Sequence, residues 1–222
     1  MLLDMPMGND VVLTYGTPIL QRRWPDVAAL NAALRQTILA QERAHPEFGQ
    51  QGIKSSSAGG WQSDPDLWNW PQPEIKHLRS LITDGLGIMA RLALGPDGQN
   101  KRIRLEPEFT AWANINRDGN YNVLHNHPNN HWSGVYYVDA GQPDPAHPLS
   151  GAFEFHDPRA AAAAMPIPGF DFGHKHVVRP EAGMMLMFPS WHQHMVHPYR
   201  GRGERMVIAF NIHLRQFQVF EP

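Results

Sequence analysis

A two-residue alternation of side chains begins after Leu105 and leaves this chain few folds other than a β-sheet structure. It is clearest in the last segment, where one face carries bulky apolar residues, namely Met206, Ile208, Phe210, Ile212 and Leu214. The other face is small or polar and consists of Arg205, Val207, Ala209, Asn211 and His213. Because successive strand residues point to opposite faces, the pattern predicts a strand with one side packed in a core and the other lining a polar ligand site. A solvent-exposed face is the alternative, and the apolar Val207 and Ala209 argue against it.

About eight strand candidates share this period and are separated by turns rich in Gly, Pro and Asp. They are 111–116, Tyr121–His127, Trp132–Val138, Ala152–His156, Lys175–Arg179, Met184–Phe188, His194–Tyr199 and Glu204–Leu214. Short strands in this number and at this spacing predict a sandwich or small barrel, and the jelly roll is a fold with eight strands.

The first half of the chain has a helical period instead. Val27, Leu30, Leu34 and Ile38 recur at spacings of three and four, and a second apolar stripe runs from Pro73 to Leu94. We therefore predict a mainly β (α+β) fold in one domain over residues 1–222. Its helical N-terminal portion, residues 1–105, packs outside a jelly-roll core at residues 106–222.

The composition restricts the partners of the protein. Nineteen Lys and Arg residues against 21 Asp and Glu residues give a net charge of −2, which disfavours nucleic acid as a partner. Apolar runs stay below membrane length, and the opening MLLDMPMGND lacks the basic region of a secretion signal. We expect a cytoplasmic protein without a membrane partner. The absence of cysteine excludes disulfides and thiolate-bound metals.

Histidines are concentrated in the strand region, which contains 11 of the 13. His125 and His127 are two residues apart in a strand candidate, so both imidazoles can face one point. His194, or His192 beside it, is the candidate for a third ligand from a distant strand. Imidazole is the commonest neutral metal ligand, and three imidazoles predict an open site for a transition metal. Histidines that are only exposed or hydrogen-bonded are the alternative.

Arg205 begins the small-residue face of the last strand. A guanidinium remains charged and binds a carboxylate through two parallel hydrogen bonds. We therefore predict that Arg205 anchors a small dicarboxylate that also reaches the metal. A surface salt bridge is the alternative role for this residue.

With these residues in place, the chain resembles the 2-oxoglutarate/Fe(II)-dependent oxygenases, and more narrowly a small bacterial and phage group within that superfamily. The resemblance covers nearly the whole chain. It is carried by segments 111–116, His125-Asn126-His127-Pro128, 133–138, 155–159, Phe188-Pro189-Ser190-Trp191 with His194, and 205–211.

The resemblance implies a double-stranded β-helix that uses Fe(II), 2-oxoglutarate and O₂ to hydroxylate an unspecified primary substrate. It also implies that His125 and His194 bind the iron and that Arg205 binds the C5 carboxylate of 2-oxoglutarate. Residue 127 would occupy a ligand position that is Asp or Glu in typical members. We expect His127 to be the ligand here, with Asp157 or a water molecule as the alternatives.

Polar residues on the neighbouring strand faces complete the predicted site. Asn114, Asn116, Tyr136 and Asn211 are expected to line it, although each is also suited to structural hydrogen bonding. Two other functions stay open. One is a metal-binding cupin enzyme that uses no oxoglutarate, because Gly119 and the His pair fit the first half of a cupin pattern. The other is a non-enzymatic jelly-roll binding module.

Overall fold

A computed structural model of the protein describes residues 16–49, 56–95, 100–159 and 175–220. The opening segment MLLDMPMGND, used above to predict location, lies outside these residues. Within the described ranges, no helix combines the length and the apolar character that crossing a membrane requires.

Two antiparallel sheets form the centre of the molecule. In chain order the strands are β1 Leu20–Arg23, β2 Ser57–Ala58, β3 Trp61–Gln62, β4 Arg102–Asn116, β5 Tyr121–His125, β6 Trp132–Asp139, β7 Gln142–Pro143, β8 Phe153–His156, β9 Lys175–Val178, β10 Met184–Pro189, β11 His194–Val196, β12 Gly201–Arg202 and β13 Arg205–Phe220. The larger sheet has the order β1-β10-β6-β13-β4-β3, and the smaller has the order β2-β5-β11-β8-β9. The strands β7 and β12 pair separately.

Two helices cover the outer face of the larger sheet. Helix α1 spans Ala28–Ala44 and buries Leu30, Leu34 and Ile38, which belong to its predicted stripe. Helix α2 spans Pro73–Ala93 and begins with proline at its first turn, where no intrahelical hydrogen bond is lost. The chain leaves α2 through Gly95, whose φ of 66° suits a residue without a side chain.

Two apolar cores divide the side chains of the larger sheet. The helix-side core takes one face of β13, comprising Met206, Ile208, Phe210 and Ile212, together with the helix stripes. The inner core lies between the two sheets and takes Val207 from the opposite face of β13. The predicted division of this strand into a helix-facing side and an inward-facing side is therefore confirmed.

The mainly β, jelly-roll fold with helices outside is confirmed, and two details differ from prediction. Strand β1 pairs with β10 at the edge of the larger sheet, although its four residues show little burial pattern. Strand β13 continues to Phe220 against Arg102 of β4, past a bulge between Leu214 and Gln216. These parts lie outside the core, so their sequences carry little of the alternation that burial imposes.

Candidate metal centre

Three histidines converge at one edge of the space between the sheets. His125 ends β5 and pairs directly with His194, which begins β11. The strand ends at His125, so His127 lies just beyond it rather than within it as predicted. Even so, one ligand nitrogen from each of the three rings lies within 4.8 Å of the other two. This is the only such group of histidine or acidic residues among the described residues.

Backbone carbonyls orient two of these rings. Nδ1 of His125 is 2.7 Å from the carbonyl oxygen of Val123, and Nδ1 of His194 is 2.9 Å from that of His192. A carbonyl oxygen only accepts, so each Nδ1 carries the hydrogen and each Nε2 keeps its lone pair for a metal. Both hydrogen bonds span two residues, which makes ring orientation a local property of each strand end.

Aromatic packing and a backbone hydrogen bond hold the group together. The ring of Phe153 stacks on His194 with centroids 5.0 Å apart and planes 11° apart. The backbone N–H of His127 donates to the carbonyl oxygen of Ser190, which ties this residue to the chain leading into β11. The His127 ring packs against Trp112 at a centroid distance of 5.9 Å.

Burial favours the neutral form of all three imidazoles. Burial lowers the pKa of His127 to about 4, with the neighbouring His125 adding to the effect. Burial also lowers the pKa of His125, and that of His194 well below its ordinary value. Neutral imidazole is the form that binds a metal ion, so the site is ready for metal without losing protons.

A cavity continues from the histidines into the space between the sheets. Its described lining consists of Ser56, Trp112, Asn114, Asn122, His125, His127, Gly134, Val135, Phe153, Phe188, His194, Val196, Arg205, Val207 and Ala209. Arg205 is the cation of this lining and is only 2% exposed. The surface salt bridge considered as its alternative role is therefore absent.

One nitrogen of the buried Arg205 guanidinium has no acceptor among the described protein groups. Its Nε donates to the carbonyl oxygen of Gly151 at 3.1 Å, while its Nη2 is buried without a hydrogen-bond partner among the described residues. Gly151 has a φ of 62°, and a side chain there would also press against Arg205. A buried cationic donor without an acceptor costs free energy, so this geometry suits a bound carboxylate.

Tyr137 is a site residue that the sequence analysis missed. Its ring lies under the Arg205 guanidinium at 5.2 Å, and its buried hydroxyl has no hydrogen-bond partner among the described residues. The two groups lie close enough to influence each other's pKa, but their approach lacks hydrogen-bond geometry. Burial raises the pKa of Tyr137 to about 12, so its hydroxyl stays a donor. The Tyr137 hydroxyl and Arg205 Nη2 are therefore two neighbouring donors without an acceptor among the described residues.

The four predicted wall residues have different positions. Asn114 lines the cavity, is 6% exposed and has a buried Oδ1 without a partner among the described residues. Asn116 is fully buried on the same strand and donates from Nδ2 to Asn122. Asn211 accepts a hydrogen bond from the Ser133 hydroxyl at 2.7 Å and is not among the described lining residues.

Tyr136 lies on the opposite face of the sheet from the cavity. It packs in the helix-side core, and its hydroxyl donates to Asn31 of α1 at 2.7 Å. The neighbouring Tyr137 is the tyrosine that reaches the inner space. The expectation that Tyr136 lines the site is therefore corrected. Because β6 is buried on both faces, its alternation does not indicate which tyrosine points inward.

The alternative ligands make other contacts. The Nε2 of His192 lies 3.0 Å from the carbonyl oxygen of His156, so this ring is turned toward β8. Both carboxylate oxygens of Asp157 accept hydrogen bonds from Arg159. Neither residue belongs to the histidine group. His197 and His156 instead contact Glu154 on the outer side of the smaller sheet.

Comparison with known proteins agrees with this geometry. A family model described as "Putative 2OG-Fe(II) oxygenase" matches residues 110–211, which include all three histidines and Arg205. No curated protein matches the chain.

Several solved structures share the fold. A prolyl-4-hydroxylase from Pseudomonas putida is 20% identical with a TM-score of 0.59, over 90% of this chain and 94% of that chain. A prolyl hydroxylase from Trichoplax adhaerens, in complex with a hypoxia inducible factor oxygen degradation domain peptide fragment, is 14% identical with a TM-score of 0.56, over 88% and 83%. HygX from Streptomyces hygroscopicus, with nickel and 2-oxoglutarate bound, is 13% identical with a TM-score of 0.53, over 89% and 83%.

Proposed function

We propose that His125, His127 and His194 bind iron(II) and that Arg205 binds the distal carboxylate of 2-oxoglutarate. The proposal rests on the family of the chain, which belongs over its core strands at residues 110–211 to the 2OG-Fe(II) oxygenases. The protein is an oxidoreductase that uses iron(II), 2-oxoglutarate and O₂. Its primary substrate is a further molecule that this site oxidises.

The buried, unpartnered Nη2 of Arg205 is the observation that carries the proposed site. An arginine held for structural reasons would normally have all its donors satisfied. Here Nε is fixed by Gly151, and Nη2 remains for an incoming acceptor beside the Tyr137 hydroxyl. A carboxylate bound at these donors satisfies both groups and neutralises the cation.

The histidine group fits a divalent transition metal in donor type and number. Three neutral nitrogens with fixed or packed rings provide one face of a coordination sphere, and the other positions stay open for ligands. The separation between this group and Arg205 spans one cavity, so a small dicarboxylate can contact both ends. The bound iron and 2-oxoglutarate together supply oxygen activation, with succinate and CO₂ as the products of the cosubstrate.

The remaining lining residues orient the cosubstrate and keep water out. Val207 and Ala209 extend from Arg205 along β13 and form an apolar floor without competing hydrogen bonds. Phe153 and Phe188 pack against His194 on the opposite side and exclude solvent from its ring. Asn114 supplies the buried amide of the cavity wall and can hydrogen-bond a polar group of the ligand.

Neither alternative function accounts for the whole site. A cupin enzyme without oxoglutarate has no use for a buried, unpartnered guanidinium at the end of the cavity, and a binding module has no use for three converging neutral imidazoles.

We further infer a single functional domain, since helices α1 and α2 pack on the sheet that carries Arg205. The lack of cysteine in the chain supports a cytoplasmic location.

Consumption of 2-oxoglutarate tests this function. Purified protein loaded anaerobically with iron(II) should convert 2-oxoglutarate to succinate when O₂ is admitted, even slowly without the primary substrate. The Arg205→Ala and His194→Ala variants should lose this turnover while keeping a folded circular dichroism spectrum. Turnover that persists in both variants, or is absent from iron-loaded wild type that binds 2-oxoglutarate, would contradict the assignment.

A further inference from the structure

The described lining of the metal cavity contains no acidic side chain. Its ionisable groups are the three imidazoles, which bind a metal in their neutral form, and the Arg205 guanidinium, which is charged. The other lining residues are amides, hydroxyls, aromatic rings and small apolar groups. The described residues therefore supply one positive charge to this space and no negative charge.

The acidic residues near the cavity wall are already paired. Glu154 is 3% exposed and contacts His197 at 2.8 Å, His156 at 3.1 Å and Lys175 at 3.3 Å. These contacts lie on the outer side of β8, whereas Phe153 and Phe155 of the same strand belong to the inner core. Asp157 is bound through both oxygens by Arg159. Neither carboxylate offsets the charge of the cavity.

Loading the site leaves one positive charge uncompensated. Given the iron(II) and 2-oxoglutarate of the proposed function, the metal contributes two positive charges and Arg205 contributes one. The 2-oxoglutarate dianion supplies two negative charges, so it cannot balance all three positive charges. An unbalanced charge in a buried cavity is costly and attracts a counter-ion strongly, because the low dielectric screens it poorly. From this balance we infer that the loaded site binds one further monovalent anionic group in the same cavity, beside the histidines.

His127 is the residue that sets this charge. It is half-buried, as is His125, whereas His194 is buried, so the open side of the group lies at the first two rings. An acidic residue at position 127 would neutralise the excess charge, and the imidazole does not. The anion is either a free inorganic ion or a carboxylate carried by the primary substrate, and both have the same charge requirement.

Visible absorption of the cobalt(II)-loaded protein measures this binding without turnover, since the cobalt bands respond to a change of ligand. The protein is saturated with 2-oxoglutarate in a buffer whose ionic strength is kept constant with perchlorate. It is then titrated separately with azide, chloride and acetate. His127→Asp and His127→Asn form a matched pair, because their side chains have nearly the same shape and differ in charge. Circular dichroism and calorimetric titration of 2-oxoglutarate establish that each variant is folded and loaded.

Wild type and His127→Asn should show saturable binding of at least one anion, and His127→Asp should bind it at least about tenfold more weakly because the added charge is close to the metal. Tighter binding of chloride than of acetate identifies a free ion as the source, whereas tighter binding of acetate identifies a substrate carboxylate. A loaded wild type without saturable anion binding overturns the inference, as does an anion that displaces 2-oxoglutarate or binds both variants equally. Failure of 2-oxoglutarate itself to bind refutes the proposed function instead.

Discussion

His125 and His194 lie directly opposite each other on the paired strands β5 and β11, with their ring centroids 4.3 Å apart. Residues that face each other across an antiparallel pair have their side chains close together, so strand pairing itself brings these distant residues into one site. The carbonyl oxygens of Val123 and His192 then fix the two rings. The proposed metal site is therefore preformed by the smaller sheet, and its integrity depends on the register of that sheet.

Removing His194 should weaken metal binding much more than removing His192. His194→Ala deletes a proposed ligand, and we expect the dissociation constant for cobalt(II) to rise by about 100-fold or more. This loss is larger than the one expected when only a hydrogen-bond partner of a ligand is removed. His192→Ala is the control, because the carbonyl oxygen that binds His194 belongs to its backbone and remains. Competition with a chromophoric chelator measures both constants. Equal losses in the two variants would exclude His194 as a ligand.

Replacing Arg205 should strongly weaken cosubstrate binding without harming the fold. Arg205→Met removes the charge and the unpartnered Nη2 donor, so 2-oxoglutarate affinity of the metal-loaded protein should fall by about 100-fold. Arg205→Lys keeps the charge but not the paired donors and should show a smaller loss. Calorimetric titration gives the affinities.

The thermal midpoint of the ligand-free Arg205→Met protein should be unchanged or higher. A buried guanidinium with an unpartnered donor is costly, and an apolar side chain of similar length avoids that cost. A large drop in midpoint would instead identify Arg205 as a structural residue.

Two adjacent tyrosines provide a matched test of cosubstrate recognition. Tyr137→Phe removes a hydroxyl without a partner among the described residues, so 2-oxoglutarate affinity should fall by about tenfold while ligand-free stability is kept. Tyr136→Phe breaks the hydrogen bond to Asn31 and should lower the free energy of unfolding by about 1 kcal/mol without changing affinity. Urea denaturation and calorimetry separate the effects, and the reverse pattern would place Tyr136 in the site.

The metal-free protein should lose stability as the pH falls from 7 toward 4. Burial lowers the pKa of His127 from 6.5 to about 4, so between these values the unfolded chain binds a proton that the folded chain does not. The free energy of unfolding therefore rises with pH across this range. Burial lowers the pKa of His125 and His194 in the same direction.

Urea denaturation of wild type and His127→Asn from pH 4.5 to pH 7.5 isolates the contribution of this ring, since the carboxylates are common to both proteins. The free energy of unfolding of the variant should change less steeply with pH, and the difference in slope should correspond to at most about one proton. Parallel curves would mean that His127 titrates normally and is not buried as described.

Sequence alone predicts this molecule best where burial differs between faces. The alternation in β13 assigns Met206 to the helix side and Arg205 to the cavity, because only one face contacts the helices. The helix period of Leu30, Leu34 and Ile38 works for the same reason. The convergence of His125 and His194 cannot be derived from periodicity, since it depends on which strands pair.

Other features have no local signal in the sequence. Both faces of β6 are buried, so Tyr136 and Tyr137 look alike in the sequence and the choice between them depends on the helices above and the cavity below. Strand β1 is a short edge strand with little alternation, and its assignment follows from pairing with β10. The carbonyl of Gly151 reaches Arg205 only through the folded loop before β8.

An anaerobic titration with iron(II) and then 2-oxoglutarate tests the central claim most directly, read as bound equivalents per chain. We predict one iron per wild-type chain, one 2-oxoglutarate per bound iron, and loss of iron from a variant in which His125, His127 and His194 are all replaced by alanine. Iron bound equally well by that variant, or a wild type that takes up iron but no 2-oxoglutarate, would contradict the account.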